Sequence, residues 1–129
     1  GRHGCIETLL SGPSLARDFT LSTGRTGTSA HELTALAAAG DKQAEATLAA
    51  YEERLGRALA VLVNILEPDV IVLGGGVSNI ERLFRNVPAL ILPHVFGGRC
   101  ETRMLRNRHG DSSGMRGAAR LFTAEECSS

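Results

Sequence analysis

The sequence contains no tryptophan, one tyrosine and four phenylalanines among its 129 residues. Proteins that bind single-stranded nucleic acid stack bases on aromatic side chains, so this mode of binding is not expected. An excess of positive charge is also missing, because 14 basic and 14 acidic side chains balance to a formal net charge of zero. Electrostatic binding to nucleic acid or to an anionic membrane surface is therefore not expected either.

Long apolar runs and a signal-peptide pattern are absent as well. A membrane-spanning helix needs about 20 consecutive apolar residues, so we expect a cytoplasmic protein without a membrane partner. Three widely spaced cysteines, Cys5, Cys100 and Cys127, favour reduced thiols over a disulfide framework. The length predicts a single domain over residues 1–129, and a hydrophobic content of 43% is sufficient for a core.

The amino-terminal part predicts short helices. Apolar residues at spacings of three and four indicate helix over residues 6–19, interrupted so that Pro13 lies in the first turn of a second helix. Residues 21–29 are rich in Ser, Thr and Gly and predict a loop. Ser29 and Glu32 then form a capping box for a helix that Gly40 ends.

The longest predicted helix covers residues 42–66, with Asp41 as its amino-terminal cap. Its apolar residues recur at spacings of three and four, which is typical of a helix with one face in a core. They are Leu48, Tyr51, Leu55, Leu59, Leu62 and Leu66. Beyond Leu59 the sequence is apolar on nearly all sides, so we expect this end of the helix to be enclosed by the core.

A short apolar run over residues 70–73 predicts a strand that is buried on both faces. Three glycines follow at once: Gly74, Gly75 and Gly76. Ser78 and Glu81 then have the spacing of a capping box at a helix start. Bare backbone allows a flat or charged ligand to approach closely, with helix N–H groups directed at it. The same glycines could equally form a tight turn that only reverses the chain, and the sequence leaves both interpretations open.

The remaining residues predict a helix over 80–94 interrupted by Pro88, a second strand within 100–106, a last helix over 115–122 and a frayed tail over 123–129. Two strands alone make a poor sheet. We therefore predict an α/β fold that is rich in helix, with a short and incomplete sheet that belongs to a larger structure.

Three groups of polar residues have the composition of chemical sites, and each has a simpler interpretation. Glu7 could bind sugar hydroxyls, but acidic residues are common in a first helical turn. His3 and Cys5 supply two of the four ligands that zinc usually takes, with no other Cys or His nearby in the sequence. Within residues 109–114, His, Asp and Ser lie too close together for a hydrolase triad, so helix capping is favoured.

Segments along nearly the whole chain match a known pattern. Residues 1–8, with the sequence G-R-H-G-C-I-E-T, resemble the end of a zinc motif, C-G-x-x-G-C-x-E. Residues 63–78 are similar to the segment that faces the nucleotide in one family of kinases. Residues 95–98, 109–114 and 116–119 resemble one branch of that family. The chain is thereby similar to the ROK (repressor, open reading frame, kinase) sugar kinases, and in particular to bacterial fructokinases.

This resemblance implies an actin-like (ribonuclease-H-like) ATPase fold. It also implies a kinase that transfers the γ-phosphoryl group of Mg-ATP to a hexose hydroxyl across a cleft. By resemblance, Glu7 binds the sugar and Cys5 is a zinc ligand. Three glycines lie against the nucleotide by the same resemblance: Gly74, Gly75 and Gly76. The implied cofactors are ATP, Mg²⁺ and, in the full-length parent, Zn²⁺. Fructose is the expected hexose, with mannose and glucose as the alternatives.

Parts of the family pattern are missing: the phosphate loop D-x-G-G-T, the N-D pair whose aspartate is the catalytic base, and the earlier zinc cysteines. Phosphoryl transfer depends on positioning and charge stabilisation. We therefore predict the carboxy-terminal portion of such a kinase, inactive alone and without a catalytic residue of its own. The alternative is the ligand-sensing domain of a ROK-family transcriptional repressor. The apolar long helix and the sheet edges also predict a homo-oligomer.

Overall fold

The fold consists of five α-helices and a two-stranded sheet, within the residues that the computed structural model describes: 4–108, 110, 117 and 118. The helices are α1 (Glu7–Leu10), α2 (Gly12–Thr23), α3 (Ala30–Ala38), α4 (Lys42–Leu66) and α5 (Glu81–Ile91). The strands are β1 (Val70–Leu73) and β2 (Arg103–Arg106). Short 3₁₀ helices cover Gly76–Asn79, Leu92–His94 and Phe96–Gly98. The prediction of a helix-rich fold with a short sheet is confirmed.

The two amino-terminal helices form on either side of Ser11, as predicted. The Ser11 Oγ accepts a hydrogen bond from the Ser14 N–H at 3.2 Å, and Pro13 lies in the first turn of α2, where its missing N–H is not needed. The beginning of the predicted loop is helical instead: α2 continues to Thr23, whose hydroxyl donates to the Phe19 carbonyl at 2.7 Å. Gly24, with a φ of 74°, ends the helix in the left-handed conformation.

α3 and α4 begin at the caps that the sequence predicts. The Ser29 Oγ accepts from the Glu32 N–H at 3.2 Å, and the Glu32 carboxylate accepts from the Ser29 N–H at 2.8 Å. The hydrogen bond from the Ser29 N–H lowers the pKa of Glu32 below its usual value. At the start of α4, one oxygen of Asp41 accepts from the N–H groups of Gln43 and Ala44, both at 3.0 Å. Local hydrogen bonds therefore fix both helix starts.

The core lies on one face of α4. Four members of the predicted stripe are buried there: Leu48, Tyr51, Leu55 and Leu59. Helices α2, α3 and α5 cover this face with their own buried residues, which include Leu15, Phe19, Leu33, Leu83 and Val87. At the contact with α5, a Cβ placed on Gly56 would lie 2.8 Å from the Leu90 Cβ. Gly56 thus allows the two helix backbones a closer approach than a larger residue would.

A buried carboxylate joins the same two helices. Glu52 of α4 is 3% exposed and accepts hydrogen bonds from Arg82 Nε at 2.6 Å and from Asn86 Nδ2 at 3.1 Å, both on α5. Arg82 also donates to both oxygens of Glu45, at 2.6 and 2.8 Å, and this contact lowers the pKa of Glu45. Because a buried charge is tolerated only when it is paired and hydrogen-bonded, this cluster fixes α5 against α4.

The carboxy-terminal end of α4 is not enclosed, contrary to the expectation from its composition. Val61, Leu62, Ile65 and Leu66 are between 45 and 73% exposed. Val63, on the side that faces the core, is buried, whereas nothing among the described residues covers the other side. A helix can bury all of its sides only where elements pack on all of them. The prediction that Leu62 and Leu66 belong to the core stripe is therefore wrong.

The sheet consists of two parallel strands. β1 pairs with β2 in a register that places Leu73 opposite Arg106. Ile71 and Leu73 pack against the core, whereas Val72 is 57% exposed. The prediction of a strand that is buried on both faces is therefore wrong. Successive side chains of a strand point to opposite faces, and within the described residues the helices cover one face of this sheet.

The predicted cap at the start of α5 is also wrong. Ser78 lies within the 3₁₀ helix, α5 begins at Glu81, and its N-cap residue, Ile80, makes no side-chain hydrogen bond. The Ser78 hydroxyl donates instead to the Gly75 carbonyl at 2.7 Å. Its oxygen accepts from Asn107 Nδ2 at 3.0 Å instead of from the first turn of α5, where the S-x-x-E spacing places its partner.

Pro88 does not interrupt its helix, although the sequence predicts that it should. α5 continues through it to Ile91 and is followed directly by the 3₁₀ helix Leu92–His94. Proline removes one helical hydrogen bond. Val87 and Ile91, on either side of Pro88, are buried in the core, and their packing maintains the helix.

Some of the predicted elements lie partly or wholly outside the residues that the structure describes. The polar loop at 109–114, apart from Gly110, lies outside the described residues, as do the tail at 123–129 and most of the helix at 115–122. Gly117 and Ala118, within that last segment, are helical. Of the helices that the structure describes, none combines the length and the apolar character needed to cross a membrane.

Tyr51, the single tyrosine of the chain, is a spectroscopic probe of the core. Its hydroxyl donates to the Leu10 carbonyl at 2.7 Å, and burial raises its pKa from 10.0 to about 12. Its contribution to stability is therefore fully present below pH 10 and is lost as the pH rises towards 12. In a spectrophotometric titration we expect tyrosinate absorbance near pH 12 for the native chain and near pH 10 for the denatured chain.

Tyr51→Phe is the control for this titration. It keeps the ring and removes the hydroxyl, so the titration should disappear, and the free energy of unfolding should fall by about 1 kcal/mol. Ionisation of the native wild-type chain near pH 10 would contradict the buried position of Tyr51.

Candidate functional site

The predicted ligand segment is an exposed turn at the end of β1, residues 74–76, which we call the glycine turn. Gly75 has a φ of 69° and a ψ of −173°, a conformation that residues with a side chain rarely adopt. Cβ atoms built on Gly74, Gly75 and Gly76 would meet no atom within 4 Å. The main chain of the glycine turn is therefore open on the side that side chains would occupy, where a ligand could approach it.

The inner side of the glycine turn is held by hydrogen bonds to carbonyl oxygens. The Ser78 Oγ donates to the Gly75 carbonyl at 2.7 Å. Asn107 Nδ2 donates to the Leu73 carbonyl at 3.2 Å and to the Ser78 Oγ at 3.0 Å. Arg106 Nε donates to the Ser78 carbonyl at 3.0 Å. We call Ser78, Arg106 and Asn107 the turn network.

Two members of the turn network, Arg106 and Asn107, are not found by sequence reasoning. Arg106 ends β2 and Asn107 follows it, so their position beside the glycine turn depends on the parallel pairing of β1 with β2. The sequence feature that could have indicated them is their position at the carboxyl end of a predicted strand. Ligand sites of open α/β sheets lie at that edge.

A groove of about 720 Å³ opens beside the glycine turn, and we call it the turn groove. Gly76 and Ile80 line one side, and the beginnings of α2 and α3 line the others. These segments lie close together: a Cβ built on Gly12 would be 3.9 Å from both Ala30 Cβ and Val77 Cγ1. Other small or apolar residues complete the lining, among them Pro13, Ala16, Ala35 and Ala38.

The polar groups of the turn groove come from α3, from the start of α5 and from Asn79 at the end of the 3₁₀ helix that precedes α5. Ser29, His31 and Thr34 belong to the cap and first turns of α3, and Glu81 begins α5. Glu81 is paired with Arg106 at 3.4 Å. The amino-terminal ends of α2 and α3 add partial positive charge, which favours anions. A flat apolar body with a polar or anionic extension matches this distribution.

Glu7 is not among the residues that line the turn groove. It is the first residue of α1 and is exposed. The groove lining begins at Gly12, in the next helix. The structure therefore brings Gly76 of the glycine turn to the groove, whereas Gly74, Gly75 and Glu7 do not line it.

Cys5 does not belong to a metal site within the described residues. It is exposed with a free thiol, and Cys100 is free as well. No group of three or more His, Cys, Asp or Glu side chains in this part of the chain could hold a metal ion. Structural zinc takes four ligands, so these residues do not fit a zinc site by themselves. His3 lies outside the described residues.

Gly75→Ala should destabilise the fold, although its methyl group would meet no neighbouring atom. The reason is the positive φ, which disfavours any residue with a side chain. In a denaturant titration we expect the free energy of unfolding to fall by about 1–3 kcal/mol.

Gly74→Ala is the matched control for this prediction. Its Cβ also has open space and its φ is not positive, so stability should change by less than about 0.5 kcal/mol. Equal losses for both variants would show that the conformation of Gly75 is not as described.

Two comparisons of the sequence with known proteins support its resemblance to the ROK sugar kinases. The model described as the ROK family matches residues 1–125. An N-acetyl-D-glucosamine kinase of Escherichia coli O1:K1 / APEC is 37% identical over 125 residues, which are 97% of this chain and 41% of that protein. The chain thus spans about two fifths of the length of the curated relatives it matches.

Two crystal structures are similar to this fold. A ROK hexokinase from Thermus thermophilus has a TM-score of 0.76 at 35% identity, covering 92% of this chain and 40% of that one. A ROK family glucokinase from Streptomyces griseus, in complex with glucose and AMPPNP, has a TM-score of 0.78 at 25% identity, with coverages of 94% and 45%. The predicted actin-like ATPase fold is confirmed by these similarities. On the family match and these identities, the chain belongs to the ROK family.

Proposed function

We propose that this chain is the nucleotide-side portion of an ATP-dependent sugar kinase, and that it forms a single domain at the carboxy-terminal end of that kinase. The observation that carries the proposal is the turn groove, where the open main chain of the glycine turn meets small and apolar walls. A nucleotide needs both features together. Its base has flat apolar faces, and its phosphates favour backbone N–H groups and helix amino-termini.

The shape of the groove suggests how ATP would bind. The base would lie between α2 and α3, where small residues such as Ala16, Ala30 and Ala35 leave room for a flat ring. The ribose and phosphates would then extend along the glycine turn, whose N–H groups stabilise negative charge. Mg²⁺ would be bound mainly by the phosphates and water, because it usually takes few protein carboxylates. ATP supplies the phosphoryl group that is transferred.

The names of the relatives support this chemistry. The Streptomyces griseus structure contains glucose together with an adenine nucleotide, AMPPNP, and the Escherichia coli relative is named as a sugar kinase. Phosphoryl transfer also needs groups that hold the metal, the phosphates and the attacking hydroxyl. Because this chain spans about two fifths of its relatives, we assign those groups, including the catalytic aspartate, to the rest of the protein. We expect the chain alone to be inactive.

Glu7 is our candidate for the sugar contact, because it is exposed and its carboxylate can accept hydrogen bonds from hydroxyl groups. Fructose is our candidate sugar, on the similarity of residues 95–98 and 109–114 to fructokinases. The relatives are named for N-acetyl-D-glucosamine and glucose, which makes these two sugars the competitors to test. Cys5 would supply one thiolate to a zinc site whose other ligands lie outside the described residues.

The expected homo-oligomer remains a prediction. Four exposed apolar residues at the end of α4 support it: Val61, Leu62, Ile65 and Leu66. Contiguous apolar side chains of this kind mark surfaces that associate. The rest of the parent protein is another candidate to cover them.

The chain should bind Mg-ATP in isothermal titration calorimetry, and Gly76→Ala, at the glycine that lines the turn groove, should weaken this binding by about tenfold, equivalent to ~1.4 kcal/mol. The added methyl group meets no protein atom, so it would occupy space that the nucleotide uses. The stability of the variant, measured in parallel, should be unchanged.

Ala49→Ser is the control, because it changes an exposed residue of α4 that does not line the turn groove. Its affinity for Mg-ATP should equal that of the wild-type chain. Absence of Mg-ATP binding by the wild-type chain, or equal affinities for Gly76→Ala and wild type, would contradict the proposed nucleotide site.

In the longer parent protein, Glu7→Ala should raise the KM for the sugar by about tenfold or more and leave the KM for ATP nearly unchanged. Loss of a charge-assisted hydrogen bond has roughly this effect on the affinity for one substrate. A coupled ADP-release assay with fructose, N-acetyl-D-glucosamine and glucose gives both constants and identifies the preferred sugar.

Equal increases of both KM values would remove the sugar role of Glu7. A parent protein that binds sugar without turnover would favour the repressor interpretation over the kinase. Sugar-dependent turnover by the 129-residue chain itself would show that it needs no further part.

A further inference from the structure

The turn network binds three carbonyl oxygens that lie in or next to the glycine turn. Ser78 binds the Gly75 carbonyl, Asn107 binds the Leu73 carbonyl, and Arg106 binds the Ser78 carbonyl. These contacts join the end of β2 to the segment that follows β1. They act on carbonyl groups of the backbone that forms the proposed nucleotide site.

Ser78 is the centre of the turn network. It is 1% exposed, and its Oγ donates to Gly75 while it accepts from Asn107. The Gly75 carbonyl also accepts from the Ser78 N–H at 3.0 Å. A buried hydroxyl that is engaged as both donor and acceptor has a fixed orientation. The peptide group between Gly75 and Gly76 is therefore held in one orientation.

Peptide geometry converts this inward hydrogen bond into an outward donor. In a planar trans peptide, the carbonyl and the following N–H point in opposite directions. Because the Gly75 carbonyl is directed at Ser78, the N–H of Gly76 points away from the turn network. A Cβ built on Gly75 or on Gly76 would meet no atom within 4 Å, so there is open space for a ligand around this peptide.

We propose that Ser78, supported by Asn107 and Arg106, is a positioning residue that keeps the Gly76 N–H directed at the phosphate groups of the nucleotide. This inference rests on the proposed nucleotide site. If the Gly75–Gly76 peptide turned over, the phosphates would meet a carbonyl oxygen, which repels them. Glycines on both sides of this peptide make such a rotation easy, because no Cβ opposes it.

The experiment compares ATP with adenosine, which lacks the phosphates. Ser78→Ala should weaken ATP binding by about tenfold, because it affects a hydrogen bond to a charged group. Adenosine binding should change by less than about twofold, since the base and its walls are untouched. Asn107→Ala should show the same split with a smaller loss. A variant that merely weakens the fold would reduce the affinity for both ligands alike.

Two variants outside the turn network are matched controls. Ser14→Ala removes another buried hydroxyl, which donates to the Thr8 carbonyl at 2.7 Å. Asn64→Ala removes another asparagine that bridges backbone groups, the His94 carbonyl and the Phe96 N–H, both at 2.9 Å. Both should leave the ratio of ATP affinity to adenosine affinity unchanged, whatever they do to stability.

Hydrogen exchange of the backbone amides tests the turn network without a ligand. Ser78→Ala should raise the amide exchange rates of residues 74–79 by about tenfold relative to the rest of the chain, and Ser14→Ala should not.

Equal losses of ATP and adenosine affinity in Ser78→Ala, or no loss of either, would overturn the inference. If the wild-type chain binds neither ligand, the proposed function fails. Hydrogen exchange alone then tests whether Ser78 holds the glycine turn in place, and unchanged exchange rates of residues 74–79 in Ser78→Ala would overturn that role.

Discussion

The contact between α4 and α5 is the constraint on which the rest of the structure depends. Gly56 allows the backbones to approach at Leu90, and Glu52, one turn earlier on α4, forms a buried ion pair with Arg82. Removing one partner of a buried pair usually costs about 3–5 kcal/mol, because the other charge is left without compensation. The two strands have four residues each and could not hold the second half of the chain to the first.

The same contact positions the candidate site. Arg82 is the second residue of α5, so the ion pair fixes the end of α5 that borders the turn groove. The preceding residue, Glu81, lines the groove and pairs with Arg106 of β2, which also holds the Ser78 carbonyl. A sequence of contacts therefore connects the buried carboxylate of Glu52 to the glycine turn. The geometry of the site depends on residues that would touch no ligand.

Features that depend on neighbouring residues in the sequence could be predicted, and features that depend on tertiary contacts could not. The caps at Ser29 and Asp41 were predicted correctly, because each acceptor lies within three residues of its donors. Ser78 has the same local pattern, but a distant residue, Asn107, competes for its hydroxyl. The exposure of Leu62 was missed because composition cannot show which sides of a helix have neighbours. Hydrophobic spacing likewise treats Glu52 as a surface residue.

The glycine turn combines two requirements that oppose each other. A ligand can reach the main chain only where side chains are absent, yet glycines lose more conformational freedom on folding than other residues and lack packing contacts of their own. The order of Gly75 and Gly76 must therefore come from hydrogen bonds to the backbone itself. Those bonds have to lie on the inner side, because the outer side must stay open for the ligand. Ser78 and Asn107 meet both conditions, since they bind carbonyl oxygens of this segment while the Cβ positions of the three glycines stay clear of other protein atoms within 4 Å.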